Sequence, residues 1–299
     1  MRVFLTGATG FVGSRILPQL LAAGHHVIGN ARSEAGARRL VQAGAAVHRG
    51  DLNDPAELAK GAEEVDAVIH TAFDHDFSRY AENCDKDRRV IEAIGDVLAG
   101  SDRPLLITSG IGLGSPGPGR FAREDVLDRD HPMPRIATEL AGHAVGERGV
   151  CVGVVRLSQI HDPVKQGLVS PLIELAREKG VSAYVGDGDN RWCAAAVEDA
   201  ARLYVLALEG HESGARWHAV AEEAIPMRLI AEAIGEGLGV PVSSLSASEA
   251  GEHFGWMSGF AALDMPGSGE FTRERLGWVP NGPTLLESLA RMDYSSPPV

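Results

Sequence analysis

Along the first half of the chain, short apolar runs alternate with longer stretches whose apolar residues recur at helical spacing. Arg2–Thr6 is an apolar run ended by glycine and predicts a buried strand. Phe11–Ala23 places Phe11, Ile16, Leu17, Leu20 and Leu21 on a helical stripe, and Gly24 supplies the stop. His26–Ala31 predicts a second strand. Ser33 then caps a helix through Gln42, which Gly44 closes. Ala45–His48, Asp66–Thr71 and Pro104–Ser109 read as further strands, with helices near Pro55–Lys60 and Ser78–Leu98 between them. Such alternation implies right-handed crossovers and a parallel sheet.

Gly110–Pro134 breaks the rhythm. Its glycines and prolines (Gly110, Gly112, Gly114, Pro116, Gly117, Pro118, Gly119, Pro132, Pro134) predict a long loop over the carboxyl edge of the sheet, functional or mobile in kind. A helix from about Arg135 to Glu147 and a strand Cys151–Arg156 follow. Helices then dominate, at Leu168–Lys179, Val197–Glu209, Pro226–Gly235 and Thr284–Met292, with short strands near Ala183–Val185 and Ala215–Val220. The tail Ser295–Val299 reads as loose. The expected fold is α/β: a Rossmann-type doubly wound parallel sheet in residues 1–160, to which a segment near 190–220 returns. Residues 161–299 form a smaller α/β domain, mainly substrate-binding.

Composition narrows the function. The 28 Lys plus Arg stand against 41 Asp plus Glu, a formal net charge of -13, which argues against a nucleic-acid partner because such proteins need a cationic face. Cys84, Cys151 and Cys193 are odd in number and never form a CxxC pair, so neither a disulfide framework nor a zinc site is expected. The chain opens without a charged-then-apolar leader, and no window approaches the roughly 18 apolar residues of a membrane span. The expectation is a cytoplasmic protein without a metal or membrane association, whose partner is a small molecule.

Gly7-Ala8-Thr9-Gly10-Phe11-Val12-Gly13 is the most informative string. It follows the first strand, whose last residue is Thr6, and opens a helix. Glycines there permit a tight turn and close approach of a pyrophosphate, while the helix N-terminus offers free N–H groups. Dinucleotide binding follows from that context. At the end of the second strand, an NAD site places an acid on the ribose 2′-hydroxyl. Here Asn30-Ala31-Arg32-Ser33 precede any acid, and Arg32 with Ser33 suits a 2′-phosphate, which favours NADP(H). Asp51 either accepts from the adenine amino group, with Leu52 packed on the ring, or caps the helix ahead of Pro55. Thr71, Ala72 and Phe73 end the fourth strand, where small residues let a cofactor cross the sheet.

TGATGFVG, GDL, HTAF and ITSG, in that order, resemble the epimerase/dehydratase-like branch of the extended short-chain dehydrogenase/reductases. VVRLSQIHDP, with Gln159, resembles the segment that passes the nicotinamide in that family; AVEDAARLYVLALE and TRERLGW extend the likeness toward the C-terminus. The resemblance implies a large dinucleotide domain and a smaller substrate domain. It also exposes a departure. The family carries Tyr-x-x-x-Lys on the helix after the fifth strand, the Tyr as general acid/base. The corresponding positions here hold Arg135 and Glu139, and no YxxxK exists in the chain. Ser109 lies close to the family's serine, although the best register puts Gly110 there.

Several residues are candidates for the altered chemistry. Arg135 cannot titrate usefully but can polarise a carbonyl. Glu139 either accepts from the ribose hydroxyls or pairs with Arg135 at helical spacing. His75, flanked by Asp74 and Asp76, is a candidate proton donor whose neighbours would raise its pKa. His131 could swing in from the loop; water and the substrate's own hydroxyl are the other proton sources. Arg191 and Trp192 either contact substrate or cofactor phosphate at the expected pocket or serve domain packing, and Phe254 and Trp256 form an aromatic pocket wall or a minor-domain core. Two function classes stand: an NADPH-dependent ketone reductase acting on a small hydrophobic or polycyclic metabolite, and a non-catalytic NADP sensor. A nucleotide-sugar epimerase or dehydratase is weaker, since those reactions need the missing base.

Overall fold

A computed structural model describes residues 1–295; of the tail, 296–299 lie outside the described residues. The strands are β1 (Arg2–Thr6), β2 (His26–Ala31), β3 (Ala46–Arg49), β4 (Ala67–His70), β5 (Leu105–Gly110), β6 (Val152–Leu157), β7 (Gln159–His161), β8 (Ser182–Val185), β9 (Arg191–Ala196), β10 (Arg216–Ala219), β11 (Glu222–Pro226) and β12 (Val242–Leu245). The helices are α1 (Gly13–Ala22), α2 (Glu34–Gln42), α3 (Pro55–Ala59), α4 (Tyr80–Leu98), α5 (Ile136–Glu147), α6 (Val169–Lys179), α7 (Val197–Gly210), α8 (Met227–Leu238), α9 (Ala247–Phe254), α10 (Ser258–Ala261), α11 (Glu270–Leu276) and α12 (Leu285–Ala290).

Seven strands form one parallel sheet in the order β10-β6-β5-β4-β1-β2-β3. The order reverses between β1 and β4, which opens a crevice at the carboxyl ends of those strands, where ligands of doubly wound sheets bind. One core cluster joins β1, α1 and α7 through Val3, Leu5, Ile16, Leu20, Leu203 and Tyr204. A second lies across the sheet, where α4 buries Val90, Ile91, Ile94 and Leu98 on one stripe. Burying such side chains contributes about 1.5–3 kcal/mol each. The α4 stripe also carries Cys84 and Asp87 into the interior. A third cluster, with Ile173, Ile230, Phe254, Met257 and Leu289, forms the C-terminal part.

The expected alternation and the Ser33 cap are present: the Gly36 amide donates to Ser33 Oγ at 3.1 Å. Three features differ. Asp54, not Asp51, caps α3 by accepting from the Glu57 amide. The C-terminal part also contains β7, β9, β11 and β12; β9 is buried along nearly its whole length and so shows no alternation in sequence. The Gly110–Pro134 loop is tied down: Arg156 donates to the carbonyls of Arg123 and Val126, and the Ala122 and Ser268 amides link it to the chain beside α11. Among the described residues, no helix is long and apolar enough to cross a membrane.

Candidate active site

The turn from β1 into α1 is built on its own backbone. The Gly10 amide donates to the Gly7 carbonyl at 2.8 Å, and Gly7 sits at φ +66°. A Cβ on Gly13 would lie 2.1 Å from the Gly7 oxygen, so only glycine allows this closure. The amides of Phe11 and Val12 have no acceptor among the described residues, as expected of a helix N-terminus. Those free donors, facing a glycine turn at the switch point, fit a pyrophosphate. Thr9 and Phe11 are half-buried around the turn.

At the far end of the crevice, Asn30 is buried with its Oδ1 lacking a partner, an acceptor left for a ligand. Arg32 and Ser33 are exposed beside the start of α2. The Arg32 guanidinium makes no hydrogen bond or ion pair among the described residues, while its field reaches across to Asp74. Asp51 Oδ1 accepts from the amide and side chain of Asn53, and Leu52 packs against the second core cluster.

Inside the strand ends runs a chain of buried hydrogen bonds. Thr6 Oγ1 accepts from the Thr71 and Ala72 amides, each at 3.2 Å, so its own hydrogen points to His70 Nδ1 at 2.7 Å. That arrangement leaves the proton on His70 Nε2, which donates to Asp87 Oδ1 at 3.0 Å. Asp87 Oδ2 accepts from Thr138 at 2.5 Å and from Arg135 at 3.2 Å. Burial opposes the Asp87 charge, yet Arg135, His70 and Thr138 together hold its carboxyl below the usual range. Arg135 also donates to the Thr108 carbonyl at 2.8 Å, and its guanidinium carbon lies 3.9 Å from the Phe73 ring centre. Thr6 and Thr71 therefore use their hydroxyls internally; Thr71 Oγ1 donates to the Thr6 carbonyl.

Glu139 does not pair with Arg135. Its oxygens take a two-pronged pair of bonds from Arg156, both 2.7 Å, and a third from Arg216 at 3.3 Å. It is an internal counter-ion, because a buried arginine on β6 needs one. Ser109 is buried beside this group, its hydroxyl without a partner.

The remaining candidates separate. His75 is exposed beyond the end of β4, but the surrounding groups partly desolvate it and the Arg135 and Lys165 cations oppose its protonation. Its pKa therefore falls below the ordinary imidazole value, the reverse of the expected rise, and Asp74 pulls only weakly the other way. Asp74 is engaged by Lys86 at 2.9 Å. His131 accepts from the Met133 amide at 3.1 Å within the tied loop. The Gln159 side chain donates to the Gln166 carbonyl and accepts from the Leu168 amide, and so shapes that loop. Arg191 is bound by Asp264 at 2.8 Å and donates to the Gly119 carbonyl. Trp192 and Phe254 belong to the third core cluster, so for these two the packing alternative holds. Trp256 alone of that group is open to solvent, stacked on Phe77.

Four residues at the site carried no motif: Phe77, Lys86, Asp87 and Lys165. Asp87 had a signal, an acid on the apolar stripe of a long helix, where only a paired charge survives burial.

The profile of the NAD dependent epimerase/dehydratase family matches residues 3–220. An uncharacterized protein of Schizosaccharomyces pombe is 47% identical over 98% of this chain and 100% of its own. A 2-alkyl-3-oxoalkanoate reductase of Stenotrophomonas maltophilia is 28% identical over 81% of this chain and 77% of its own. Among solved structures, a UDP-glucose 4-epimerase of Thermus thermophilus in complex with NAD shares the fold, with a TM-score of 0.74 at 21% identity over 98% of this chain and 97% of that one.

Proposed function

The chain belongs to the NAD dependent epimerase/dehydratase family, and from that premise we propose that it is an NADPH-dependent ketone reductase that works on a small hydrophobic metabolite without a catalytic tyrosine. One observation carries the reading: Arg135, which the register of the sequence aligns with the family's acid, is buried, neutralised by Asp87 and laid against Phe73 just beyond β4. A fixed guanidinium beside the crevice polarises a carbonyl but accepts no proton, which suits reduction and not epimerisation. Support also comes from the relative named as a 2-alkyl-3-oxoalkanoate reductase.

The turn amides of Phe11 and Val12, together with Asn30, Arg32 and Asp51, would hold the dinucleotide. When bound, NADPH supplies the hydride. Arg135 has more N–H donors than Asp87, the Thr108 carbonyl and the nearby Cys84 engage, so it can orient a substrate oxygen. Orientation of this kind lowers a barrier by several kcal/mol, about 7–11 at best, against roughly 10²–10⁴-fold from a general acid. His75 or water then delivers the proton to the new alkoxide.

Screening NADPH oxidation against ketones and quinones tests the proposal, with His75→Ala to locate the proton source. A histidine donor predicts turnover that rises as pH falls below the ordinary imidazole value, and a variant that loses this dependence with unchanged NADPH affinity. If no carbonyl compound oxidises NADPH while NADP alters association with another protein, the sensor reading replaces this one.

A further inference from the structure

A run of aromatic rings leads away from Arg135. Phe73, under the guanidinium, meets His75 edge-on at 5.3 Å, and His75 meets Phe77 at 6.2 Å. Phe77 stacks on Trp256 with ring centres 5.1 Å apart and planes 12° apart, and both touch Phe260 edge-on. The first three rings come from the β4–α4 connection of the large domain, the last two from the C-terminal part. The wall therefore spans both domains and begins at the group that marks the reacting end.

Trp256 is anomalous within this chain. Trp192, Trp217 and Trp278 are 0–1% exposed, whereas Trp256 is 53% exposed although Phe254 and Met257 beside it are buried. An exposed large aromatic joined to others in a patch marks a binding surface more often than a core. Its surroundings specify the occupant. Stacked and edge-on rings favour a flat π-system, and the cations Arg135 and Lys165 at one end favour an electron-rich oxygen.

The geometry points to a seat for a planar aromatic ketone along Phe73, His75, Phe77, Trp256 and Phe260, with its carbonyl at Arg135. This rests on the ketone-reductase reading and narrows its substrate class. It assigns Phe77 and Trp256 to substrate selection, not to hydride transfer.

A matched pair of probes tests it: 2-acetonaphthone, which is flat, and its saturated decahydronaphthyl analogue, which is not. Each is titrated by calorimetry into the protein held with NADP⁺, so that binding is read without turnover. The parent should bind the flat ketone more tightly. Trp256→Ala should weaken that ketone on the order of tenfold, leaving the saturated analogue and NADP⁺ affinity unchanged, and Trp256→Phe should restore most of the loss. Trp256 is exposed, so the variants should fold; Phe77→Leu gives an independent check. Equal affinity of the parent for both probes, or equal weakening of both by Trp256→Ala, overturns the seat. Flat-ketone binding that depends on Trp256 without any NADPH oxidation supports the seat and sinks the reductase reading. Turnover of flat ketones indifferent to Trp256→Ala does the reverse.

Discussion

The pair formed by Asp87 and Arg135 holds the altered site together, and its energetics can be measured. Their side chains are 2% and 10% exposed, and they meet at 3.2 Å. Removing one member of a buried pair leaves an uncompensated charge and costs about 3–5 kcal/mol. Asp87→Asn removes the anion at nearly constant volume and leaves Arg135 with the Thr108 carbonyl and the Phe73 ring. Arg135→Met removes the cation and leaves Asp87 with His70 and Thr138. Independent effects would sum to about 6–10 kcal/mol. The double variant contains no stranded charge, so it should cost about as much as one single change, a coupling of at least about 2 kcal/mol. Urea unfolding of the four proteins at neutral pH, followed by circular dichroism, gives all the terms. Acid titration adds a second signature. The folded Asp87 carboxyl ionises below its ordinary range. As pH falls below about 3.9, the unfolded chain takes up that proton before the folded one does, so the Asp87 contribution is lost toward the lower folded value. Asp87→Asn should remove that part of the decline. Additivity of the two single changes within about 0.5 kcal/mol would show that these charges do not compensate one another and would refute the reasoning.

Arg32→Ala should weaken NADPH binding by about 1–3 kcal/mol and leave NADH binding unchanged, as read by calorimetry; equal parent affinity for the two cofactors would count against the 2′-phosphate assignment. Gly13→Ala forces a Cβ against the Gly7 oxygen, and NADPH affinity should fall by at least about 1.4 kcal/mol, tenfold, with a lower Tm. Burial pushes His161 down to about 4 and His218 down to about 3, so both stay neutral in the fold. The unfolded chain protonates them below about 6.5, and stability should drop by about 2 kcal/mol for each between pH 7 and 5. His161→Asn should recover about half of that pH dependence, measured by urea midpoints at the two pH values.

Local chemistry carries the part of the site that was legible in sequence. The glycine turn, the strand before it and the helix after it are contiguous, so a backbone device of a dozen residues leaves its whole signature in one string. The Ser33 cap and the alternation that builds the sheet are equally local. The alignment of Arg135 and Glu139 with the family's Tyr and Lys was legible as an expectation, because it needs only a register. Their roles were not. Neighbours one turn apart on a helix suggest a pair, but burial makes each charge take the nearest opposite charge in space. Arg135 finds it in Asp87, 48 residues earlier, and Glu139 finds it in Arg156 and Arg216, the latter 77 residues later. Tertiary packing likewise sent Phe254 into a core and left Trp256 exposed against Phe77, although Phe254 and Trp256 lie within a single helical turn in sequence. The glycine turn and the absence of a Tyr-x-x-x-Lys string follow from sequence alone. Only the tertiary structure decided which charges compensate, which aromatic rings remain open and which way the His75 pKa moves, because each depends on desolvation by segments remote along the chain.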